Sequence, residues 1–291
     1  MPYKYDLKID LQEHFKLAIR KKLLDYGYSD VEKFPLDRML YLFLNLQKRL
    51  ISVQPRKIYI SKEFKCLPQY TEVLKSIISR IKTGKDLSSH LSKTISYLNY
   101  DDHLLNDWGI HHLHLGEDLE KNTGFVKRTD PLLFVRFTNN EAYLLQIMPH
   151  GNWANEDLIQ IINNNWPGTI KEFLIKGISS VSPALSEKDR KNLRRHGIST
   201  FVQLEENKIY YPLGGGYTSN GSSLKAHIQA DQLLKKLRCV EMKIKENIAW
   251  YAKKIHKTTN YKGNEFIFLL EVGENILIYE VYSNYKIRII I

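Results

Sequence analysis

Residues 131–148 read Pro-Leu-Leu-Phe-Val-Arg-Phe-Thr-Asn-Asn-Glu-Ala-Tyr-Leu-Leu-Gln-Ile-Met, which is two apolar runs separated by Asn139-Asn140. Two adjacent asparagines tolerate the positive φ angles that a tight hairpin turn requires. The first run is apolar at almost every position, so we predict an interior strand that is covered on both faces. This stretch therefore predicts an antiparallel hairpin at the centre of a small sheet.

A third strand is predicted upstream, in the segment Trp108-Gly-Ile-His-His-Leu-His-Leu-Gly116. Side chains alternate between the two faces of a strand, so His112 and His114 are expected on one face and the intervening leucines on the other. A helix is predicted to follow the hairpin, with Asn155 as its cap. The central part of the chain is therefore predicted to form a sheet with one helix packed on it.

The spacing of apolar residues divides the chain into four predicted segments. Residues 1–105 have a helical spacing and form a basic helical domain, whereas residues 106–168 alternate as strands do. Residues 169–199 form a connecting region with one short helix, and residues 200–291 form a C-terminal α/β unit with one long helix. The predicted fold class is α+β, with a small antiparallel-sheet core between the two other domains.

The composition is that of a folded protein with an excess of positive charge. Of 291 residues, 43 are Lys or Arg and 32 are Asp or Glu, which gives a formal net charge of +11. No run of about 18 apolar residues is present, and the first residues lack the apolar core of a secretory signal. We therefore expect a cytoplasmic protein that does not cross a membrane and whose partner is a polyanion, with RNA as the main candidate.

Basic residues are densest between residues 48 and 93, where eleven Lys or Arg accompany three Asp or Glu. The short helix over 188–195 and the helical segment over 235–262 carry further basic faces. A solvated helix surface and a nucleic-acid interface both explain such clusters. The candidate nucleic-acid contacts are Lys48, Arg49, Arg56, Lys57, Arg80, Lys82, Lys127, Arg194 and Arg195.

Two histidines on one face of a strand indicate acid-base chemistry or metal binding, because imidazole changes charge near neutral pH. Other polar groups are expected to converge on the face of His112 and His114. Arg128 precedes the central strand, Arg136 lies within it, and His150 follows the next strand. Metal-independent RNA cleavage needs a base for the 2′-hydroxyl, an acid for the leaving oxygen and a cation for the phosphate. Two histidines and one or two arginines are sufficient in kind.

Residues 106–166 resemble the sheet core of the RelE-type and related barnase-like endoribonuclease toxins. The resemblance consists of the element order, the basic turn at Lys127 and Arg128, the hairpin, and the polar end at His150. It implies a metal-independent endoribonuclease without a cofactor, with a role as a toxin or phage-defence effector. It also implies a neutralising antitoxin protein as a partner.

Within this interpretation each candidate site residue has a predicted role. His114 and His150 share the acid-base work and His112 assists, while Arg128 and Arg136 stabilise the pentacoordinate phosphate. Two alternatives stay open. A non-enzymatic protein that binds RNA or another polyanion explains the charge equally well. In the other alternative, His112-x-His114, His150 and Glu117 or Glu120 are similar to the metal-binding pattern of cupins, which predicts a His-ligated metal.

The glycine-rich segment 214–223 has the spacing of a phosphate-binding P-loop, but a serine stands where the P-loop lysine belongs. A glycine-rich turn ahead of a long helix can still hold an anion with its backbone N–H groups, and a plain structural turn is the alternative. The candidate anion-binding residues are Gly214, Gly215, Gly216, Gly221 and Ser222.

Overall fold

The computed structural model of the protein describes residues 5–151, 153–205, 207–273 and 276–289. Its helices are α1 (Leu11–Asp25), α2 (Leu36–Arg49), α3 (Thr71–Thr83), α4 (His103–Trp108), α5 (Asp157–Asn165), α6 (Glu187–Arg195), α7 (Leu224–Glu246) and α8 (Ile248–Thr258). Its strands are β1 (Asp6–Ile9), β2 (Lys57–Ile60), β3 (Ile110–His114), β4 (Leu132–Phe137), β5 (Glu141–Met148), β6 (Val202–Glu205), β7 (Lys208–Tyr210), β8 (Glu265–Val272), β9 (Ile276–Glu280) and β10 (Lys286–Ile289). The predicted α+β class is confirmed.

The chain divides into two compact units whose boundaries differ from the four predicted segments. One unit combines residues 1–44 with residues 227–291, and the other comprises residues 45–226. The two ends of the chain share a unit because β1 pairs in parallel with β8, in a sheet of order β1-β8-β9-β10. Local periodicity does not report such a pairing between distant strands, so the predicted boundaries near residues 105, 168 and 200 do not match the units.

The first unit buries one face of α1. Asp10 caps this helix by accepting a hydrogen bond from the backbone N–H of Glu13 at 2.9 Å. Four buried apolar residues follow at intervals of four along the helix: Leu11, Phe15, Ile19 and Leu23. This spacing places them on one side of the helix, which packs against β8.

The predicted long C-terminal helix is interrupted at Asn247, between α7 and α8. The side-chain amide of Asn247 donates to the carbonyl of Lys243 at 2.9 Å. Asparagine side chains compete for backbone groups in this way, which explains the break. The predicted hairpin beyond α8 is confirmed as β8 and β9, although residues 274 and 275 of its turn lie outside the described ranges.

The second unit contains the predicted sheet. Its strand order is β2-β5-β4-β3, so the three predicted strands pair as expected and β2 adds a parallel strand beside β5. The apolar strand β4 lies between β3 and β5, as predicted. Leu132 and Phe134 belong to one hydrophobic cluster with residues of α4 and α5, whereas Leu133 and Val135 belong to another with residues of α3. Helices therefore cover both faces of the sheet.

The end of α4 sets the start of β3. Asp102 caps α4 through the backbone N–H of Leu105, and Gly109 ends the helix with a φ angle of +68°. This left-handed conformation favours glycine and turns the chain directly into the strand. The predicted short helix α6 also has its cap, a reciprocal pair of hydrogen bonds between Ser186 and Asp189. None of the described helices is both long and apolar enough to span a bilayer.

Candidate active site

A cavity of about 390 Å³ in the second unit brings together three of the five predicted catalytic residues. His112, Arg128 and His150 all line it. His112 comes from β3, Arg128 from the segment before β4, and His150 from the loop after β5. The other two predicted residues, His114 and Arg136, are not among the lining residues.

Strand pairing explains how residues far apart in sequence reach one cavity. His112 pairs with Phe134 of β4, and His114 pairs with Leu132, which in turn pairs with Met148 of β5. The predicted alternation is confirmed, because Leu113 belongs to the hydrophobic cluster on the other side of the sheet. His112 and His114 thus share the face that carries α4 and α5.

A hydrogen bond at the sheet end holds His150 close to Arg128. The backbone N–H of His150 donates to the carboxylate of Asp130 at 2.6 Å. Asp130 lies two residues after Arg128 and two before the start of β4. The loop after β5 and the segment before β4 are therefore joined where their side chains reach the cavity.

Trp153 is a shared neighbour of the two cavity histidines. Its ring centroid lies 4.6 Å from that of His112 and 4.8 Å from that of His150. The backbone carbonyl of Trp153 accepts a hydrogen bond from the buried side chain of Arg194. The backbone of Trp153 is thus held by Arg194, and its indole ring contacts both imidazoles and Phe134.

Asp102 is the acidic residue that faces His112. One carboxylate oxygen caps α4, and the other lies 3.9 Å from Nδ1 of His112. Burial lowers the pKa of His112, and the charge of Asp102 opposes this effect only in part. His112 is therefore neutral at neutral pH and is able to accept a proton.

The remaining charges that line the cavity are mostly positive. Arg128, Lys191, Arg194 and Arg195 contribute guanidinium or ammonium groups, whereas Asp102 is the acidic lining residue. Lys191 pairs with Glu187 and Arg194 with Asp107, but the Arg128 guanidinium has no carboxylate within 4 Å in the part of the chain that the structure describes. A cavity of this charge attracts an anion.

His114 is buried and does not line the cavity, so the structure does not support its predicted acid-base role. The residue is 1% exposed, and its Nδ1 accepts a hydrogen bond from the backbone N–H of Thr129 at 3.2 Å. Burial, together with the positive charge of Arg128, lowers its pKa to about 3. A proton on Nδ1 would break the bond to Thr129, so the ring is held neutral.

Arg136 also differs from its predicted place, because it lines another cavity of the second unit, of about 800 Å³. Its guanidinium donates to the carbonyl of Thr169 at 3.1 Å and lies 5.9 Å from the ring of Tyr143. Its buried positive charge is partly offset by the nearby carboxylates of Glu172 and Glu141. Arg136 therefore does not reach a phosphate bound between His112 and His150.

Several predicted nucleic-acid contacts are buried structural residues. Arg49 is 4% exposed and Arg56 is 7% exposed, and both donate to backbone carbonyls of neighbouring loops. Arg190 and Arg194 are buried too, so the prediction of a solvated face is wrong for these two residues of α6. A guanidinium has five N–H donors and becomes buried where several backbone carbonyls accept hydrogen bonds from it. The local sequence does not show which carbonyls will surround it.

The other predicted contacts differ in their surroundings. Lys57 and Lys82 are exposed, Arg80 donates to the carbonyl of Asp86, and Lys127 pairs with Asp118 at 2.9 Å. Of the nine predicted contacts, only Arg194 and Arg195 line the cavity of His112.

The glycine-rich loop is a structural turn and not the predicted anion site. Its backbone N–H groups already donate within the protein, those of Gly214 and Gly216 to carbonyls of α4 and that of Ser222 to Asn220. A side chain at Gly214 would collide with carbonyl oxygens of α4. The remaining predicted residues, Gly215 and Gly221, donate to carbonyls of the same loop.

Lys48 joins the glycine-rich loop to α4 through hydrogen bonds. Its ammonium donates to Asn106 Oδ1 at 3.0 Å, to the Gly214 carbonyl at 2.8 Å and to Ser223 Oγ at 3.1 Å. Burial lowers the pKa of Lys48 to about 7. Its three donors are all used, so this predicted nucleic-acid contact acts as a clamp between α4 and the loop.

The cupin-like metal cluster predicted as an alternative does not form. Within the described ranges, no three His, Cys, Asp or Glu side chains converge in a way that could hold one metal ion. His114 points its Nδ1 at a backbone N–H, and Glu120 pairs with Lys93. The sheets are also open and flanked by helices, which differs from a jelly-roll barrel.

Two residues next to the cavity histidines, Asp102 and Trp153, were not predicted from the sequence. Asp102 lies within the predicted helical domain and has no predicted role of its own, although an aspartate three residues before Leu105 is a typical helix cap. Trp153 lies three residues after His150 and belongs to no sequence motif that indicates a function. Its role arises from packing against two histidines, which only the folded chain brings together.

Comparison of the chain with models of protein families, with curated proteins and with solved structures found no match.

Acidification is expected to destabilise the second unit through His114. Its pKa is lowered from about 6.5 to about 3, so the folded state binds fewer protons than the unfolded state between these values. The contribution of His114 to stability is therefore complete above pH 6.5 and is lost as the pH falls toward 3. The loss from this residue is up to about 1.4 kcal/mol per pH unit.

Urea unfolding at pH 7 and pH 5 measures this effect. A Trp250→Phe background leaves three tryptophans, all in the second unit, so fluorescence then reports that unit alone. His114→Asn keeps a hydrogen-bond acceptor for Thr129 but does not titrate. We expect it to lose about 2 kcal/mol less than the parent protein between pH 7 and pH 5. Equal losses in both proteins would show that His114 is not the group that titrates.

Proposed function

We propose that the cavity of His112 and His150 cleaves RNA without a metal ion. The observation that carries this proposal is the convergence of two imidazoles and the Arg128 guanidinium on one positively charged cavity. Acid-base cleavage of RNA needs these groups in kind. The resemblance of residues 106–166 to RelE-type and barnase-like toxins supports the same activity.

The proposed reaction uses the 2′-hydroxyl of the RNA as the nucleophile. His112, neutral because burial lowers its pKa, accepts the 2′-hydroxyl proton. The 2′-oxygen bonds to phosphorus and the bond from phosphorus to the 5′-oxygen breaks. His150 lies at the exposed side of the cavity and donates a proton to that leaving oxygen. The products are a 2′,3′-cyclic phosphate and a 5′-hydroxyl.

Three other residues support this reaction in the proposal. Arg128 offsets the extra negative charge of the pentacoordinate phosphate. Asp102 faces Nδ1 of His112 and favours the tautomer that carries its proton there, which leaves Nε2 to act as the base. Trp153 keeps the two imidazoles in position. His114 and Arg136 have no part in the chemistry.

The biological setting is a further part of the proposal and is supported by the family resemblance. A cytoplasmic RNA-cleaving protein of this kind acts as a toxin or a phage-defence effector. The proposed partner in the toxin setting is a neutralising antitoxin protein, which would keep RNA cleavage from stopping the growth of the host.

The direct test is the incubation of the purified protein with an end-labelled single-stranded RNA in excess EDTA. We expect cleavage to persist and to produce 2′,3′-cyclic phosphate ends, because neither step needs a metal ion. The same oligonucleotide with 2′-deoxy sugars should stay intact, since it lacks the nucleophile. Activity that is lost in EDTA and returns with a divalent ion would contradict the mechanism. RNA that is bound but never cut would favour the non-enzymatic alternative.

A further inference from the structure

Helix α8 of the first unit carries positive charge without acidic neighbours in its own sequence. Residues 248–258 include Lys253, Lys254 and Lys257 and no Asp or Glu. All three lysines are exposed, and none forms an ion pair within the part of the chain that the structure describes. Several other cations of this unit have carboxylate partners, namely Lys8, Lys16, Arg20, Lys21, Lys33 and Lys245.

An exposed tryptophan lies on the same face of α8. Trp250 is 56% exposed, although it is among the largest apolar side chains. The ammonium of Lys254 lies 4.8 Å from its ring centroid and 5.6 Å from that of Tyr285. The opposite side of the helix is occupied, because Ala252 and Ile255 are buried in the unit. The indole of Trp250 is thus accessible to a ligand, with Tyr251 edge-on to it at 4.9 Å between ring centroids.

Helical spacing aligns these side chains. Trp250, Lys253, Lys254 and Lys257 lie three, four and seven positions apart, which places them on one face of a helix. The face extends over about 10 Å at 1.5 Å per residue. This length suits two or three nucleotides, with a base at one end and phosphates along the rest.

We infer that this face of α8 binds single-stranded RNA. A base stacks on Trp250, and Lys253 and Lys257 bind the adjacent phosphates. An aromatic ring beside unpaired cations is the combination that single-stranded nucleic acids recognise. A membrane surface is a poorer partner, because a helix that lies on a bilayer inserts its apolar face. The apolar face of α8 is already buried. The inference concerns the first unit and does not depend on cleavage by the cavity of the second.

The experiment measures the affinity of the full chain for a fluorescent single-stranded RNA by anisotropy. Every sugar of this RNA is 2′-O-methylated, so the proposed reaction cannot cut it and binding is measured separately from cleavage. Lys253→Glu/Lys257→Glu is expected to weaken binding at least ten-fold. Trp250→Ala is expected to weaken it about five-fold or more, whereas Trp250→Phe keeps a stacking surface and should stay within about three-fold of the parent protein.

The matched control is Lys16→Glu/Lys21→Glu, which makes the same charge change on α1 of the same unit. We expect this control to change the affinity for the RNA by less than about three-fold. Circular dichroism establishes that each variant is folded. Equal affinities of the α8 variants and the control would overturn the inference. So would binding of the parent protein to vesicles of phosphatidylserine and phosphatidylcholine that is lost in the α8 variants while RNA binding is unchanged.

Discussion

Replacing His112 by alanine is expected to lower the rate of RNA cleavage by about 10²-fold to 10⁴-fold, which is the usual contribution of one acid-base group. The substitution removes the group that accepts the 2′-hydroxyl proton in the proposed reaction. His150→Ala should produce a loss in the same range, because the leaving oxygen then departs without a proton. The measurement is the single-turnover rate on an end-labelled RNA.

Two histidine variants outside the cavity control for a general effect of losing an imidazole. His196 is exposed at the end of α6 and does not line the cavity, so His196→Ala should cleave at nearly the parent rate. His114→Asn tests the structural role of His114 and should retain most activity at pH 7. The assignment fails if His112→Ala and His150→Ala both cleave RNA as fast as the parent protein. If only His114→Asn were inactive, the acid-base role would have to be reassigned to His114.

Breaking the buried ion pair of Asp107 and Arg194 is expected to destabilise the second unit by about 3 to 5 kcal/mol. Nε of Arg194 lies 2.6 Å from the Asp107 carboxylate, and the two side chains are 3% and 0% exposed. Burial raises the pKa of Asp107 in spite of this partner. Arg194→Met leaves that carboxyl without its partner, and Asp107→Asn leaves the buried guanidinium without a carboxylate.

Urea unfolding in the Trp250→Phe background measures the loss, because the three remaining tryptophans lie in the second unit. The double variant Asp107→Leu/Arg194→Met removes both charges and should lose less than the sum of the two single losses. The exposed pair of Lys21 and Asp25 serves as a control, and Lys21→Met should change stability by less than about 1 kcal/mol. A loss below about 1 kcal/mol for Arg194→Met would contradict the structural role of the pair.

The position of Arg194 also links stability to the proposed site. Its guanidinium lies 4.2 Å from the ring of Trp108, and it donates to the backbone carbonyl of Trp153. Trp153 in turn contacts both cavity histidines. A basic residue that looked like part of a solvated helix face is therefore part of the support beneath the cavity.

Local patterns predicted the sheet of the second unit well. The alternation over 110–115 placed His112 and His114 on one face, and the apolar run of 132–137 became the interior strand β4. The predicted cap Asn155 lies one residue before Glu156, the N-cap residue of α5, and its side chain accepts a hydrogen bond from the backbone N–H of Asp157 at 2.9 Å. These features depend on the period of side chains along a strand and on hydrogen bonds within one turn, and neighbouring residues suffice to specify both.

Burial of charge and long-range pairing required the folded chain. His114 has the same residue type and strand face as His112, yet one is enclosed behind Thr129 and the other lines the cavity. Arg49, Arg56 and Arg194 entered the interior because carbonyl or carboxylate groups distant in sequence surround them. The pairing of β1 with β8 likewise joined the chain ends into one unit. Whether a polar side chain faces solvent or a partner depends on residues that only packing brings near it, and no local spacing encodes their identity.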